Sequence, residues 1–297
     1  MWAITIPDRD SVFVLYQHHR LKTIHQNLDV LTSRGCPYRC KFCCAYLAWG
    51  SRKFRLRSVD NIIKELILLN RTYGQRSFIF WDDLFSVDKQ RVMELCEKIL
   101  DQHLDIHWVC LVRLNTIDAE MLSIMKKAGC TQIQIGIESG NDRILGYIGK
   151  NLTLSQIRAK IPMIRRSGLE WLIFSIVGFP TESEKEIEDT LRLISEIKPS
   201  EVGMSIFAPY PGTEFYHELQ EKGLLDENTM KSETWYPYNN FTGKIPDERF
   251  VKIAIHALEY ADRFDLRRRL GFLSVRHVLN NLSQFQREFM GRRHPVR

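Results

Sequence analysis

Six short apolar runs, each followed by a longer amphipathic one, set the tightest limit on what this chain can fold into. The runs are Asp29–Ser33, Ser77–Trp81, Ile106–Leu111, Gln132–Ile137, Trp171–Gly178 and Val202–Phe207. Rich in Ile, Val, Phe and Trp and bounded by turn residues, they read as buried strands. The segments between them read as helices. Val59, Ile62, Ile63, Leu66 and Ile67 form one stripe, with Ser58 before it and Gly74 after it. Capping boxes stand at Thr153 with Gln156 and at Ser183 with Glu186. Pro162 falls inside the pattern from Thr153 to Ser167 and is expected to kink or split that helix. Such alternation implies parallel strands with right-handed crossovers. Six units are too few for a closed eightfold barrel, which leaves a doubly wound sheet or an open, partial barrel. In both, functional groups gather at the C-terminal ends of the strands.

Directly after the first run comes Arg34-Gly-Cys36-Pro-Tyr-Arg-Cys40-Lys-Phe-Cys43-Cys44. Four of the seven cysteines thus lie within nine residues, while Cys96, Cys110 and Cys130 stand singly. Clustering of this kind in a long chain points to metal rather than to disulfides. Thiolates are the usual ligands of iron–sulfur clusters, and a full set is four. Three in one loop leave one iron open, and an open position is what chemistry at a metal requires. Zinc is the rival; its structural sites want four protein ligands, typically as two pairs. Beyond the three, only Cys44 and the unpaired His18, His19 and His25 are near. The spacing favours an iron–sulfur cluster on Cys36, Cys40 and Cys43, with Cys44 in place of Cys43 as the variant assignment.

This loop resembles the CxxxCxxC signature of the radical S-adenosylmethionine (SAM) superfamily, including an aromatic residue, Phe42, before the third cysteine. The resemblance covers about residues 29–223. It implies an α/β fold, a partial (β/α)6 TIM-like barrel, here with a C-terminal helical cap. It also implies a 4Fe–4S cluster whose unique iron SAM chelates through its amino and carboxylate groups. Reduction of that cluster cleaves SAM to methionine and a 5′-deoxyadenosyl radical, which abstracts hydrogen from substrate. A reductant such as flavodoxin or ferredoxin is the implied partner.

Other positions carry the likeness onward. Asp82 and Asp83 end the second run where the family's Gly-Gly-Glu motif holds the SAM amino group, and a carboxylate suits an ammonium. The sequence departs from that motif toward an Asp-Asp-x-Phe version. As plain caps of the next helix, Ser86 and Asp88 are better placed. Glu138, in Gly136-Ile-Glu138-Ser139-Gly140, matches a glutamate near the SAM ribose or amino acid moiety, and Arg113 an arginine serving the SAM carboxylate. Lys150 matches a recurrent lysine to which no role attaches. Ile176 opens Ile176-Val-Gly178-Phe-Pro180-Thr181-Glu182, similar to the GxIxGxxE region that packs on adenine. Pro209, in Phe207-Ala-Pro209-Tyr210-Pro-Gly212-Thr213, closes the barrel, with Thr213 set to cap a helix. The implied cofactor-binding set is therefore Phe42, Asp82, Asp83, Arg113, Glu138, Ile176 and Pro209.

Ile6-Pro7-Asp8-Arg9, Tyr16 and Thr32-Ser33-Arg34-Gly35-Cys36-Pro37 resemble the link between a cobalamin domain and the barrel in the methylase and cyclase branch. The chain begins where that domain would end, and Asp-x-His-x-x-Gly does not occur in it. The expected layout is a lead-in over 1–28, the core barrel over 29–223 and a helical cap over 224–297, with cobalamin reaching it only through a partner chain. Helical patterns at about 247–270 and 274–290 make the cap. Trp235, Tyr236, Tyr238 and Phe241 are candidates for a lid that keeps water from a radical. Hydrogen abstraction in methylation or cyclisation of a small molecule or lipid is the expected reaction. A tRNA-modifying radical SAM enzyme is the alternative, and a metal-bearing protein that binds nucleic acid is the non-enzymatic one.

Net charge is +6, and from Arg263 to Arg297 nine Arg meet two acidic residues, so the rest of the chain balances at −1. Positive character is therefore assigned to the tail. No apolar run approaches the roughly 20 residues of a membrane span, and the N-terminus lacks a signal peptide's features. A cytoplasmic location is expected.

Overall fold

The computed structural model describes residues 27–225 and 240–264. All six expected strands are present: β1 (Leu28–Val30), β4 (Ser77–Phe80), β5 (His107–Val112), β6 (Cys130–Glu138), β7 (Glu170–Val177) and β8 (Glu201–Ile206). They lie in the order β1-β4-β5-β6-β7-β8, and every neighbouring pair is parallel. Alternation along the strands decides which parallel architecture this is. Phe78, Phe80, Trp108, Cys110, Val112, Ile133, Ile135 and Ile173 are buried and join the helix stripes in one large core. The residues between them, Ile79, Val109, Leu111, Gln134, Leu172, Phe174 and Ile176, stay half-buried. One face is covered and the other is half-open, as in a partial (β/α)6 barrel; a doubly wound sheet would be covered on both.

The helices begin and end where local chemistry dictates. Ser58 accepts from Asn61 N to start α2 (Val59–Tyr73), and Gly74, at φ 66°, ends it in the left-handed region. Asp88 caps α3 (Lys89–Asp101) and Asp118 caps α4 (Ala119–Lys127). After α5 (Asp142–Tyr147), both capping boxes form, on α6 (Leu154–Ser167) and α7 (Glu184–Ile197). Pro162 lies inside α6 without splitting it. Its ring is exposed, while Ile157, Ile161 and Ile164 hold the opposite face of the helix in the core. Thr213 caps α8 (Glu214–Glu221).

Helix α9 (Asp247–Asp262) is the first of the two expected cap helices; the second, near 274–290, lies outside the described residues. Phe250, Ile253, Ala254 and Ala257 of α9 bury against Val177, Ile187 and Ile206. That packing shields the edge strand β8. Two features near the cysteines carry no signal of their own in the sequence. One is the antiparallel pair β2 (Ser33–Arg34) and β3 (Arg55–Leu56), and the other is the single-turn α1 (Ala45–Ala48).

Candidate active site

The cysteine loop leaves β1 through Thr32 and Ser33, and the end of β4 fastens both. Asp82 Oδ1 accepts from Thr32 N at 2.6 Å, and its Oδ2 accepts from Thr32 Oγ1 and Ser33 Oγ at 2.5 and 2.7 Å. Burial pushes this carboxyl up, against the pull of those hydrogen bonds. Below it, Arg91 Nη2 donates to Thr32 O at 2.6 Å, and the buried Arg57–Glu65 pair closes at 2.5 Å. The resemblance implied a SAM contact for Asp82; in the structure both of its oxygens are engaged in tying the loop to the barrel. Asp83 ties the next residue. Its Oδ2 accepts from Gly35 N at 2.8 Å and from Trp49 Nε1 at 2.6 Å, and Oδ1 has no partner among the described residues. Gly35 sits at φ 88°, and a Cβ there would stand 2.6 Å from Lys53 O, so only glycine fits.

Three later turns grip the loop from its far side. Lys41 N donates to Ile148 O at 3.0 Å, Phe215 N to Lys41 O at 3.3 Å, and Tyr46 Oη to Gly212 O at 2.6 Å. Pro209 is buried at the start of the turn that carries Gly212, so its place is in this support. Phe42 lies 5.6 Å from Phe179, ring to ring. Half-buried Phe42 and Ile176 both pack on a cluster that includes Phe179, Phe207, Phe215 and Phe241. Phe241 is thus inside that cluster, while the other three lid candidates fall outside the described residues.

Cys40 is buried, Cys36 and Cys43 are half-buried, and Cys44 is exposed. Charge on Cys40 is felt at both Cys36 and Cys43, so these thiols converge. Burial raises both, Cys43 to about 11. Arg113 stands against them. Its Nη1 donates to Cys40 Sγ at 3.7 Å and its guanidinium lies 3.9 Å over the Tyr38 ring. The residue is 5% exposed, yet Nε and Nη2 have no partner among the described residues. A buried cation with two unused donors calls for an anion beside it. An iron–sulfur cluster on three thiolates and the carboxylate of SAM are such anions. Among the described residues no three Cys, His, Asp or Glu side chains are set to hold one metal ion. A cubane makes no such demand, since each thiolate binds a different iron, and the donor set fits it.

Strand β6 ends in an irregular step between Gly136 and Glu138, and Glu138 adopts φ 71°, a strained value for a side chain. Its Oε1 accepts from Lys150 Nζ at 2.7 Å, both groups being buried. A Cβ on Gly136 would collide with Glu138 Oε1 and stand 2.8 Å from Lys150 Nζ. The Gly-Ile-Glu motif is therefore one device, and Lys150 is its third member. Oε2 of Glu138 has no partner among the described residues. One strand on, Glu182 is fully buried and its Oε2 accepts from Gly178 N and Phe179 N at 2.6 and 3.0 Å. Burial lifts its carboxyl to about 8.

The Radical SAM superfamily profile matches residues 30–194. Over 209 residues the chain is 36% identical to an uncharacterised methyltransferase of Pyrococcus horikoshii, covering 70% of this chain and 45% of that protein. It is 30% identical over 205 residues to the cytidylyl-2-hydroxyethylphosphonate methyltransferase of Streptomyces wedmorensis, covering 67% and 38%. Likeness to the anaerobic magnesium-protoporphyrin IX monomethyl ester cyclase of Rubrivivax gelatinosus is 25% over 192 residues, covering 64% and 34%. The chain spans less than half the length of these relatives. Among solved structures, the radical SAM methyltransferase TsrM of Kitasatospora setae, with cobalamin and a 4Fe–4S cluster bound, shares the fold. The TM-score is 0.59 at 17% identity, over 66% of this chain and 39% of that one. The radical SAM coproporphyrinogen III oxidase of Escherichia coli matches at 0.55 and 14%, over 80% and 52%. With a family profile spanning more than half of its residues, this chain belongs to the radical SAM superfamily of enzymes.

Proposed function

We propose that this chain is the catalytic barrel of a radical SAM enzyme that methylates, or closes a ring on, a small molecule. Arg113 carries the proposal: a buried guanidinium with two unused donors, in contact with Cys40, at the C-terminal end of β5. Cys36, Cys40 and Cys43 would hold three irons of a 4Fe–4S cluster and leave the fourth to SAM. Arg113 donates toward the Cys40 sulfur and offers its remaining N–H groups to a carboxylate. Asp83 Oδ1 is the acceptor for an ammonium, and Glu138 Oε2 for a sugar hydroxyl. Phe42 and Ile176 form the apolar wall against which adenine would lie. A cluster held by these residues and reduced by one electron would supply the cleavage of SAM to methionine and a 5′-deoxyadenosyl radical.

Methyl transfer is favoured because several similar proteins are named as methyltransferases. Cobalamin, which structural relatives hold, would come from a module outside these 297 residues, and the electron from a flavodoxin or ferredoxin. No helix among the described residues is long and apolar enough to cross a membrane. The test is anaerobic reconstitution followed by dithionite and SAM, with hydroxocobalamin in a parallel sample. Cluster absorption, about four irons per chain and release of 5′-deoxyadenosine are expected. Stoichiometric zinc without iron in anaerobically prepared protein overturns the proposal. Co-elution of one hydroxocobalamin per chain on gel filtration overturns that external supply.

A further inference from the structure

The segment that carries the cysteines is also the most basic stretch of the body. Residues 34–57 hold seven Lys or Arg and no Asp or Glu, so the remainder of the first 262 residues balances at −8. Two of the seven are neutralised, Arg57 by Glu65 and Lys41 by Glu214 at 3.2 Å. Arg34, Arg39, Arg52, Lys53 and Arg55 have no carboxylate partner among the described residues. Arg34 and Arg55 stand directly opposite each other across β2 and β3, and each has a buried Nε without a partner among the described residues. Like charges facing across a ladder destabilise it. A fold that needed only a hairpin here has no use for that pairing; an approaching anionic surface relieves it.

We propose that this basic collar is the docking surface for an acidic one-electron donor protein, a reading that rests on the cluster assignment above. Position argues for it. The cluster ligands belong to the same segment, so a protein seated on the collar brings its cofactor close to the iron, and electron transfer falls off steeply with distance. The donor loses one electron and the cluster gains it, with no other co-reactant. The aromatic residues argue against nucleic acid. Arg52 lies 3.8 Å over the Tyr46 ring and Arg34 lies 5.2 Å from that of Trp49. These two arginines cover the faces on which bases would stack. Arg39 and Lys53 are exposed and free to steer an acidic partner.

The probe is flavodoxin hydroquinone mixed in a stopped flow with the anaerobically reconstituted protein. Its second-order oxidation should slow steeply with added salt. The double variant Arg39→Glu, Lys53→Glu should cut the low-salt rate about tenfold, and the Gln pair should give an intermediate loss. Iron content and reduction by dithionite should not change. A flavodoxin rate indifferent to salt and to both variants overturns the docking surface, even where dithionite and SAM still yield 5′-deoxyadenosine. An equal loss with dithionite also overturns it, by placing the charges in the cluster site. Lost tRNA binding with an unchanged flavodoxin rate would give the surface to RNA. Protein that holds no cluster sinks this inference together with the reading it rests on.

Discussion

The cysteine loop and the barrel behind it are ordered by different physics. The barrel is held by burial: Trp108, Phe78, Phe80, Phe85, Ile62 and Leu66 all have relative exposures below 2%. Fully burying a side chain of this kind contributes about 2 kcal/mol. In the loop, by contrast, α1 buries no residue at all. Its shape comes from hydrogen bonds thrown across from the barrel: Asp82 and Asp83 beyond β4 on one side, and Ile148 at the end of α5, Gly212 and Phe215 at the start of α8 on the other. Such tethers exist only after the barrel has formed, so the loop borrows its order. Damage to the core should unfold both regions, whereas damage to the loop should cost metal and leave the barrel standing.

The largest effect expected from that contrast is at the ligands. Cys36→Ala, Cys40→Ala and Cys43→Ala should each lose nearly all bound iron after anaerobic reconstitution while the melting temperature of the apo-protein stays put. Cys44→Ala, at an exposed position, should keep both. If Cys44→Ala loses the cluster and Cys43→Ala keeps it, the ligand set is misassigned. Asp82→Ala comes next, because it cuts the tether and also removes the carboxylate facing the buried Arg91. Urea unfolding should show a loss of about 3 kcal/mol, with iron loading falling in step. Unchanged stability with weaker SAM binding would instead return Asp82 to the ligand-contact role.

The same contrast explains what the sequence made legible. Burial and capping are local or periodic signals, so six strands and the caps at Ser58, Thr153, Ser183 and Thr213 could be read from it. The CxxxCxxC spacing is likewise local. Tethers are not: the roles of Asp82 and Asp83 are set by which residues, 34 to 50 positions back, each one meets. Lys150 had a family position but no task until Glu138, twelve residues away, appeared beside it. Net charge is a coarse signal. Summed over the body, the positive collar at 34–57 vanished beneath acids placed elsewhere.

Glu182 offers a test on the barrel side, of intermediate size. Its folded carboxyl is raised to about 8, so its proton binds more tightly in the folded than in the unfolded chain. Stability linked to it is fully present below the ordinary glutamate range and is lost as pH rises through about 8. Glu182→Gln keeps an acceptor for Gly178 N and Phe179 N but does not titrate. Relative to the variant, the wild-type protein should lose about 1 kcal/mol for each pH unit climbed within that window. Urea midpoints at several pH values read this directly. A difference that stays constant with pH would mean that Glu182 is ionised throughout.

The smallest effect comes where the two regions meet, from a double variant at Glu138 and Lys150. Among the described residues each is the other's only counter-charge, and both are buried. Glu138→Gln alone leaves a buried ammonium without an anion and should cost about 3 kcal/mol, which would hide any loss of SAM binding behind partial unfolding. The double variant Glu138→Gln, Lys150→Gln removes both charges together. An amide pair can keep the hydrogen bond that Oε1 now accepts, so the double variant should be more stable than the single one and close to wild type. What it lacks is the charged Oε2 that has no partner among the described residues. SAM binding, followed by isothermal titration or by the perturbed spectrum of the cluster, should weaken roughly fivefold at unchanged iron content. If the double variant melts normally and binds SAM as tightly as wild type, the pair serves only to hold the end of β6 in its left-handed turn. If it melts as poorly as the single variant, the ion pair itself is needed for the fold.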